Sequence, residues 1–173
     1  LKNRLVMGPM GNVGLADETG RPSNKMIQYF VDRAKGGVGL ITTGLVPVSY
    51  NVEATLTEPG DLTILPRIDR SRSVYPGWRE LAESVHAHGA RFFIQLTPGL
   101  GRVGSPECLV KKFRLPVSAS WNPSFYMPAV PCRPLRDDEC WKIINNAGQA
   151  AADARALLVD GVYLHGHEGY LLE

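Results

Sequence analysis

Four chemically capable side chains fall within six residues near the end of the chain, in His165-Gly166-His167-Glu168-Gly169-Tyr170. His165 and His167 are two apart, so on an extended backbone they face the same side. One chemistry open to this group is acid/base catalysis, with Tyr170 as proton donor and His165 and Glu168 binding or tuning. Another is metal binding, with His165 and His167 as imidazole ligands and Glu168 as ligand or base. A phenol has an ordinary pKa of ~10, so Tyr170 is protonated and able to donate at neutral pH. A second His-x-His, His86-Ala87-His88, closes an amphipathic segment, where an imidazolium complements the helix dipole, and it reads as structural. Cys108, Cys132 and Cys140 are odd in number and widely spaced. With no C-x-x-C they suggest neither a disulfide framework nor a zinc site. They read as buried small hydrophobes or surface thiols in a reducing, cytoplasmic setting.

Strands and helices must position these groups. Leu5-Val6-Met7 reads as a first strand, closed by Gly8-Pro9. Ser23 is a plausible N-cap for a helix whose face is Met26, Ile27, Phe30, Val31 and Ala34, stopped by Gly36-Gly37. Val38 to Thr43 is an apolar run without alternation, the pattern of a strand buried on both faces. A long polar segment, Val46 to Ser73, leads to a second helix with Trp78, Leu81, Ala82 and Val85 on one side and Gly89 at its end. Arg91 to Leu96 is a third strand. Thr97 to Pro134 is rich in Pro, Gly and Ser and too long for a simple connection. Pro106, Pro116, Pro123, Pro128, Pro131 and Pro134 within it, with Pro76, read as loop punctuation. The last helix starts at Asp137-Asp138-Glu139, acids that suit a helix N-terminus. Trp141, Ile144, Ala147, Ala151, Ala154 and Leu158 are its expected apolar face. Asp160-Gly161 then turns into a fourth strand, Val162 to His165.

The order β-α-β-α-β-α-β, with continuous apolar strands, implies parallel pairing and right-handed crossovers. A parallel β/α barrel and a doubly wound sheet both satisfy it. Gly8-Pro9-Met10-Gly11-Asn12-Val13-Gly14 leads into turn residues and not into a helix, so it is no dinucleotide fingerprint, and the barrel is favoured. Barrel sites lie at the C-terminal ends of the strands. Those ends carry Gly8-Pro9-Met10-Gly11, Thr42-Thr43-Gly44, Gln95-Leu96-Thr97 and the histidine cluster. Small residues let a flat ligand approach the backbone, and the Gln95 amide can read the edge of a polar heterocycle. On local grounds alone, Gly8 and Gly44 serve equally as turn residues and Gln95 as a surface amide. The 173 residues carry 19 Lys+Arg against 17 Asp+Glu, a net charge of +2. That balance gives no electrostatic footprint for nucleic acid or an anionic membrane. No apolar run reaches the ~20 residues of a membrane span.

Read together, four motifs resemble the old yellow enzyme family of flavin oxidoreductases, and within it the 2-enoate and 2,4-dienoyl-CoA reductase branch. They are Leu1-Lys2-Asn3-Arg4-Leu5-Val6-Met7-Gly8-Pro9-Met10, Gly36-Gly37-Val38-Gly39-Leu40-Ile41-Thr42-Thr43-Gly44, His88-Gly89-Ala90-Arg91-Phe92-Phe93-Ile94-Gln95-Leu96, and the run Asp160 to Leu172 around the histidine cluster. They occur in the family's order and span almost the whole chain. The resemblance implies an FMN-binding (β/α)8 barrel, with residues 1–173 forming its N-terminal half and only the first four β/α units present. By motif position, Pro9, Met10 and Gly11 would lie along the isoalloxazine, Gly44 would back the ring, and Gln95 would bond its pyrimidine edge. Tyr170 would be the proton donor. His165 and Glu168 would be the substrate-binding pair, Glu168 standing where many members have His or Asn. The turn Thr97-Pro98-Gly99-Leu100-Gly101-Arg102 departs from the family's His-containing turn. The implied reaction is reduction of the activated C=C bond of a 2-enoate or an enoyl or dienoyl thioester. NAD(P)H would be the electron donor, with FAD and a 4Fe-4S cluster in the longer parent.

A complete barrel needs eight strands and typically ~250 residues, so this chain and its non-Met start are expected to be part of something longer. Open strand edges invite a homo-oligomer or pairing with the missing half. Two other readings compete with the ene-reductase. One is a metal-dependent barrel hydrolase using His165, His167 and Glu168, disfavoured because no further His or Cys stands at another strand end. The other is a non-catalytic half-barrel that acts only by association.

Overall fold

The computed structural model describes residues 1–53, 65–68 and 73–173. Its main sheet has four parallel strands in the order β1-β2-β3-β7, comprising β1 (Val6–Met7), β2 (Leu40–Pro47), β3 (Arg91–Thr97) and β7 (Gly161–Leu164). The connecting helices are α1 (Asn24–Lys35), α2 (Tyr75–His86) and α4 (Asp137–Ala156). Between β3 and α4 the chain makes a 3-10 turn (Gly101–Val103), the short helix α3 (Cys108–Lys112) and a small sheet of β4 (Val117–Ser118), β5 (Asn122–Pro123) and β6 (Pro131–Pro134).

Local chemistry accounts for the helix boundaries. Ser23 Oγ accepts from the Met26 amide at 3.3 Å and caps α1. Gly36 keeps a right-handed conformation, and Gly37, at φ +100°, makes the left-handed turn that ends the helix. Pro76, expected as loop punctuation, lies instead in the first turn of α2, where its missing N–H would find no partner in any case. Lys2 donates to two backbone carbonyls, its ammonium 2.7 Å from the His88 carbonyl and 3.4 Å from that of Ala34. It thus sits at the carbonyl-rich ends of α1 and α2, where a cation is favoured.

One apolar layer joins helices to sheet. Met26 and Phe30 of α1, Trp78 and Leu81 of α2, and Phe92, Ile94 and Leu96 of β3 are all buried in a single cluster. Burying each such side chain contributes roughly 1.5–3 kcal/mol, so this layer dominates the stability of the unit. The segment expected as polar from Val46 begins as strand instead. Val46 and Pro47 close β2, and Val46, Val48, Val52 and Ile68 are buried. The rest of that expectation falls on residues 54–64 and 69–72, outside the described residues. Pro123, Pro131 and Pro134, expected in loops, lie in the small sheet. There the strands are two to four residues long, so a missing donor costs little.

Two expectations about burial are corrected. The inner face of α4 is Ile143, Ala150 and Ala154, with Ala147 and Ala151 partly buried, whereas Trp141, Ile144 and Leu158 are exposed. The small alanine face lets α4 settle close on β3 and β7, and the bulky residues fall on its outer flank. β7 reads as a continuous apolar strand, yet Val162, Tyr163 and Leu164 are exposed because β7 is an edge of this sheet.

β2 and β3 share a bulge. Thr42 pairs with Phe93 and Leu45 with Gln95, so Thr43 and Gly44 together oppose one residue. Thr43 Oγ1 accepts from the Gln95 amide at 3.1 Å and donates to the Gly44 carbonyl at 2.8 Å, which satisfies groups the bulge would leave unpaired. At the other end of the sheet, Asp160 ties β7 to β3. Its carboxylate takes the Phe92 amide at 2.9 Å, Arg91 Nη1 at 2.7 Å and His86 Nε2 at 2.6 Å. Burial alone would raise the Asp160 carboxyl, but the Phe92, His86 and Arg91 hydrogen bonds together hold it below the usual carboxylate range.

Asp160→Asn should therefore cost about 1–3 kcal/mol, because charge-assisted bonds are weakened. A group with a depressed folded pKa contributes its stability above the unfolded pKa of about 4 and loses it as pH falls below. Urea melts should show the gap between wild type and variant at pH 7 and its narrowing toward pH 3. Gly44→Ala should cost at least about 1–3 kcal/mol, since a Cβ there collides with the Met10 carbonyl and meets Gly11 Cα at 3.0 Å. A denaturation midpoint equal to that of the wild type would show that the segment after β1 is free to move aside.

Candidate functional site

The four parallel strands end on the same side of the sheet, and the segments leaving them touch one another. β3 supplies the middle of this edge. Its alternation puts Phe92, Ile94 and Leu96 against the helices and turns Phe93, Gln95 and Thr97 to the opposite face. Gln95 is only 6% exposed and lies between Leu45 of β2 and Tyr163 of β7 in the ladder. Its side-chain amide makes no hydrogen bond to a described residue. Its amide atoms are not sealed from solvent, so they stand open to the hydrogen bonds of a ligand. The local alternative of a surface amide does not hold.

The segment after β1 forms one flank. Pro9, Met10 and Gly11 are exposed, and a Cβ at Gly8 or Gly11 would meet nothing within 4 Å. The backbone here borders open space on one side. On the other it rests on Gly44, which has no Cβ to keep the Met10 carbonyl away. Tyr29 Oη lies 3.9 Å from Met10 Sδ and steadies that side chain.

The other flank follows β7. The His165 amide donates to the Leu96 carbonyl at 2.9 Å, extending the ladder one step beyond the strand. Glu168 at φ +67° and Gly169 at φ +74° then reverse the chain with two successive left-handed residues. The reversal costs strain at Glu168 and lays the Tyr170 ring edge-on to His165, with centroids 4.6 Å apart. The His167 ring stacks on His165 at 4.7 Å. His165 Nε2 is 3.5 Å from Glu168 Oε2, and His167 Nδ1 is 4.0 Å from Glu168 Oε1.

Burial, and then the neighbouring His167 charge, push the His165 pKa down, with Glu168 opposing them. His165 is thus neutral at pH 7, and the carboxylate beside Nε2 favours the proton on that nitrogen. Its Nδ1 is buried without a partner. Burial, then Glu168 and Tyr126, raise the Tyr170 pKa, so the phenol keeps its proton throughout the neutral range. A neutral imidazole donor, a carboxylate and a protonated phenol can together hold a polar acyl end and deliver a proton. The donor atoms of His165, His167 and Glu168 also lie within 4.8 Å of one another, a spacing a metal ion could draw together.

The structure thus joins His165, Glu168 and Tyr170 and puts Gln95 on the adjacent strand. Pro9, Met10, Gly11 and Gly44 make a separate contact on the β1–β2 side. His86 is engaged with Asp160, the structural role expected of it. Cys108 and Cys132 are buried and Cys140 is half-buried.

Sequence reasoning passed over Glu53, a buried carboxylate on the turns behind the site, because it sits in what reads as a polar run. It also passed over the Arg133–Glu139 pair, whose two bonds of 2.8 and 2.7 Å fasten the small sheet to the start of α4. The Arg133 hydrogen bonds hold the Glu139 carboxyl at about 2. The only local signal was an acid three residues after Arg136, whose amide Glu139 also accepts at 3.0 Å.

Both the sequence and the fold have counterparts among known proteins. Over residues 1–173 the sequence matches the NADH:flavin oxidoreductase / NADH oxidase family. It is 38% identical to cinnamate reductase from Clostridium sporogenes over 176 residues, covering 100% of this chain and 25% of that protein. It is 36% identical to NADH oxidase from Thermoanaerobacter brockii over 172 residues, covering 99% and 25%. The chain spans about a quarter of the length of these curated relatives. The old yellow enzyme homologue from Zymomonas mobilis superposes with a TM-score of 0.75 at 27% identity, covering 98% of this chain and 46% of that one. The β/α units here are accordingly part of a TIM barrel, and the chain belongs to the NADH:flavin oxidoreductase / NADH oxidase family.

Proposed function

We propose that the protein carrying this chain is an FMN-dependent ene-reductase that reduces the activated C=C bond of a 2-enoate or an enoyl or dienoyl thioester. The observation that carries this reading is the cluster His165, Glu168 and Tyr170, set beside a Gln95 whose amide makes no hydrogen bond to a described residue. The residues present suit a flavin. Gln95 has donors and an acceptor for the pyrimidine edge, and the open backbone at Gly8 and Gly11 leaves room for a flat ring along Pro9, Met10 and Gly11. Gly44 supports that segment from behind.

Bound and reduced FMN would supply the hydride to the β-carbon of the alkene. Residues of this chain bind the substrate and hold its proton. His165, neutral and fixed by its backbone bond to β3, has a single N–H, on Nε2, and at 3.5 Å from Glu168 that N–H is held loosely enough to turn to the acyl oxygen of a bound substrate. Glu168 orients the imidazole. Tyr170 holds a proton and delivers it to the α-carbon. The names of two relatives, cinnamate reductase and NADH oxidase, fit an alkene substrate and a nicotinamide donor. FAD and a 4Fe-4S cluster that relay those electrons belong to the longer protein. The exposed edges, with Val6 at 54% and Leu164 at 61%, call for the rest of the barrel, from the longer chain or from an associated half. Among the described residues, no helix is long and apolar enough to cross a membrane.

Three outcomes test this. The longer protein should show a bound-flavin absorption spectrum with FMN, and Gln95→Leu should weaken that binding roughly 5- to 100-fold, the worth of one or two hydrogen bonds. Tyr170→Phe should leave flavin reduction by NAD(P)H intact and slow alkene reduction by about 10²–10⁴-fold in stopped-flow half-reactions. Equal rates would remove Tyr170 as the acid. Stoichiometric zinc in the purified protein, bound through His165, His167 and Glu168, would replace the flavin reading with a metal-dependent one.

A further inference from the structure

Behind the strand ends lies a titratable group that the reaction does not use. Glu53, 2% exposed, leaves the segment after β2 and points under the turn after β3. Its Oε1 accepts from the Gly101 amide at 2.7 Å, and its Oε2 accepts from the Leu100 amide and Ser49 Oγ, both at 2.9 Å. Gly99 has room for this carboxylate only because it lacks a side chain, since a Cβ there would lie 2.7 Å from Glu53 Oε2. Burial pushes the Glu53 pKa up to about 7, although the Gly101 and Leu100 amides and Ser49 oppose it. Every one of its hydrogen bonds but that to Ser49 goes to the turn after β3.

What it holds is the platform under Tyr170. The turn it clamps, 99–101, receives the segment that follows the left-handed reversal. The Leu171 amide donates to the Gly99 carbonyl at 3.3 Å. Gly101, at φ +58°, lies so near that a Cβ would be 3.0 Å from Leu171 N and 3.4 Å from Tyr170 C. Gly169 in turn packs over Val103, whose Cγ2 would lie 3.4 Å from a Cβ at that position. The contacts run without a break from the carboxylate to the turn, and from the turn to the backbone that bears the phenol.

We infer that Glu53 is a positioning residue for Tyr170, acting through the 99–101 turn and the Tyr170–Leu171 backbone. The activity arm of this inference rests on the ene-reductase reading, whereas its structural arm does not. Glu53→Gln keeps the shape but turns an amide N–H toward one of the backbone N–H groups, so one clamp bond is lost. Gly99→Ala disturbs the same contact from the opposite side and leaves Glu53 unchanged.

The experiment is hydrogen exchange on the longer protein carrying this chain, read at 99–103 and 168–173, together with half-reaction kinetics. Both variants should exchange at least tenfold faster in both segments, with 24–35 in α1 unchanged. They should slow alkene-dependent oxidation of reduced flavin about tenfold, with flavin reduction by NAD(P)H unaltered. Faster exchange confined to 99–103, with 168–173 as in the wild type, overturns the inference. Equal loss of both half-reactions also overturns it, since that marks a general structural role. Coupled exchange in a protein whose wild type reduces no alkene sustains the positioning link and defeats only the proposed reaction.

Discussion

The site depends on one constraint, the commitment of β3 on every side. Its edges are hydrogen-bonded to β2 and β7, and its helix-facing residues Phe92, Ile94 and Leu96 have almost no exposure. A strand so held cannot rotate or slip, because a one-residue slip would expose the whole apolar row. The residues on its other face are therefore fixed chiefly by the strand itself. Gln95 is held in this way, and so is the carbonyl of Leu96, to which His165 is tied.

From that strand, order spreads outward through polar links. Asp160 locks the start of β7 to the Phe92 amide, which fixes the register of the strand leading to His165. The bulge at Thr43 and Gly44 is stitched to Gln95, and the same Gly44 receives the Met10 carbonyl. Each link is a charge or hydroxyl satisfying a backbone group that irregular structure would otherwise leave bare. The site-bearing segments are irregular, yet their backbone is accounted for, so their side chains can be held in place on a rigid frame.

Electrostatics then divides the roles of residues that look alike in the sequence. His165 and His167 belong to one short motif, but His165 is 3% exposed and neutral while the side chain of His167 is 66% exposed. Glu53, Glu139 and Glu168 are all carboxylates. Burial raises the first, Arg133 lowers the second, and the third lies free enough to steer an imidazole. The chemistry follows from the surroundings and not from the residue types.

The alternation of apolar strands and amphipathic helices was legible in the sequence because burial on two faces and on one face leave different periodicities. Ser23 as a cap, the α1 and α2 faces, three strands nearly to the residue, and the grouping of His165, Glu168 and Tyr170 all follow from such local rules. Tertiary structure alone decided what depends on distant neighbours. The inner face of α4 went to Ile143 and the alanines because close approach to β3 and β7 favours small residues, so Trp141 and Ile144 were turned outward. Val46 joined β2 because β3 offered it a partner. Glu53 acquired its place because the turn at 99–101 presents two N–H groups 47 and 48 residues further along the chain, a meeting that no window of sequence contains.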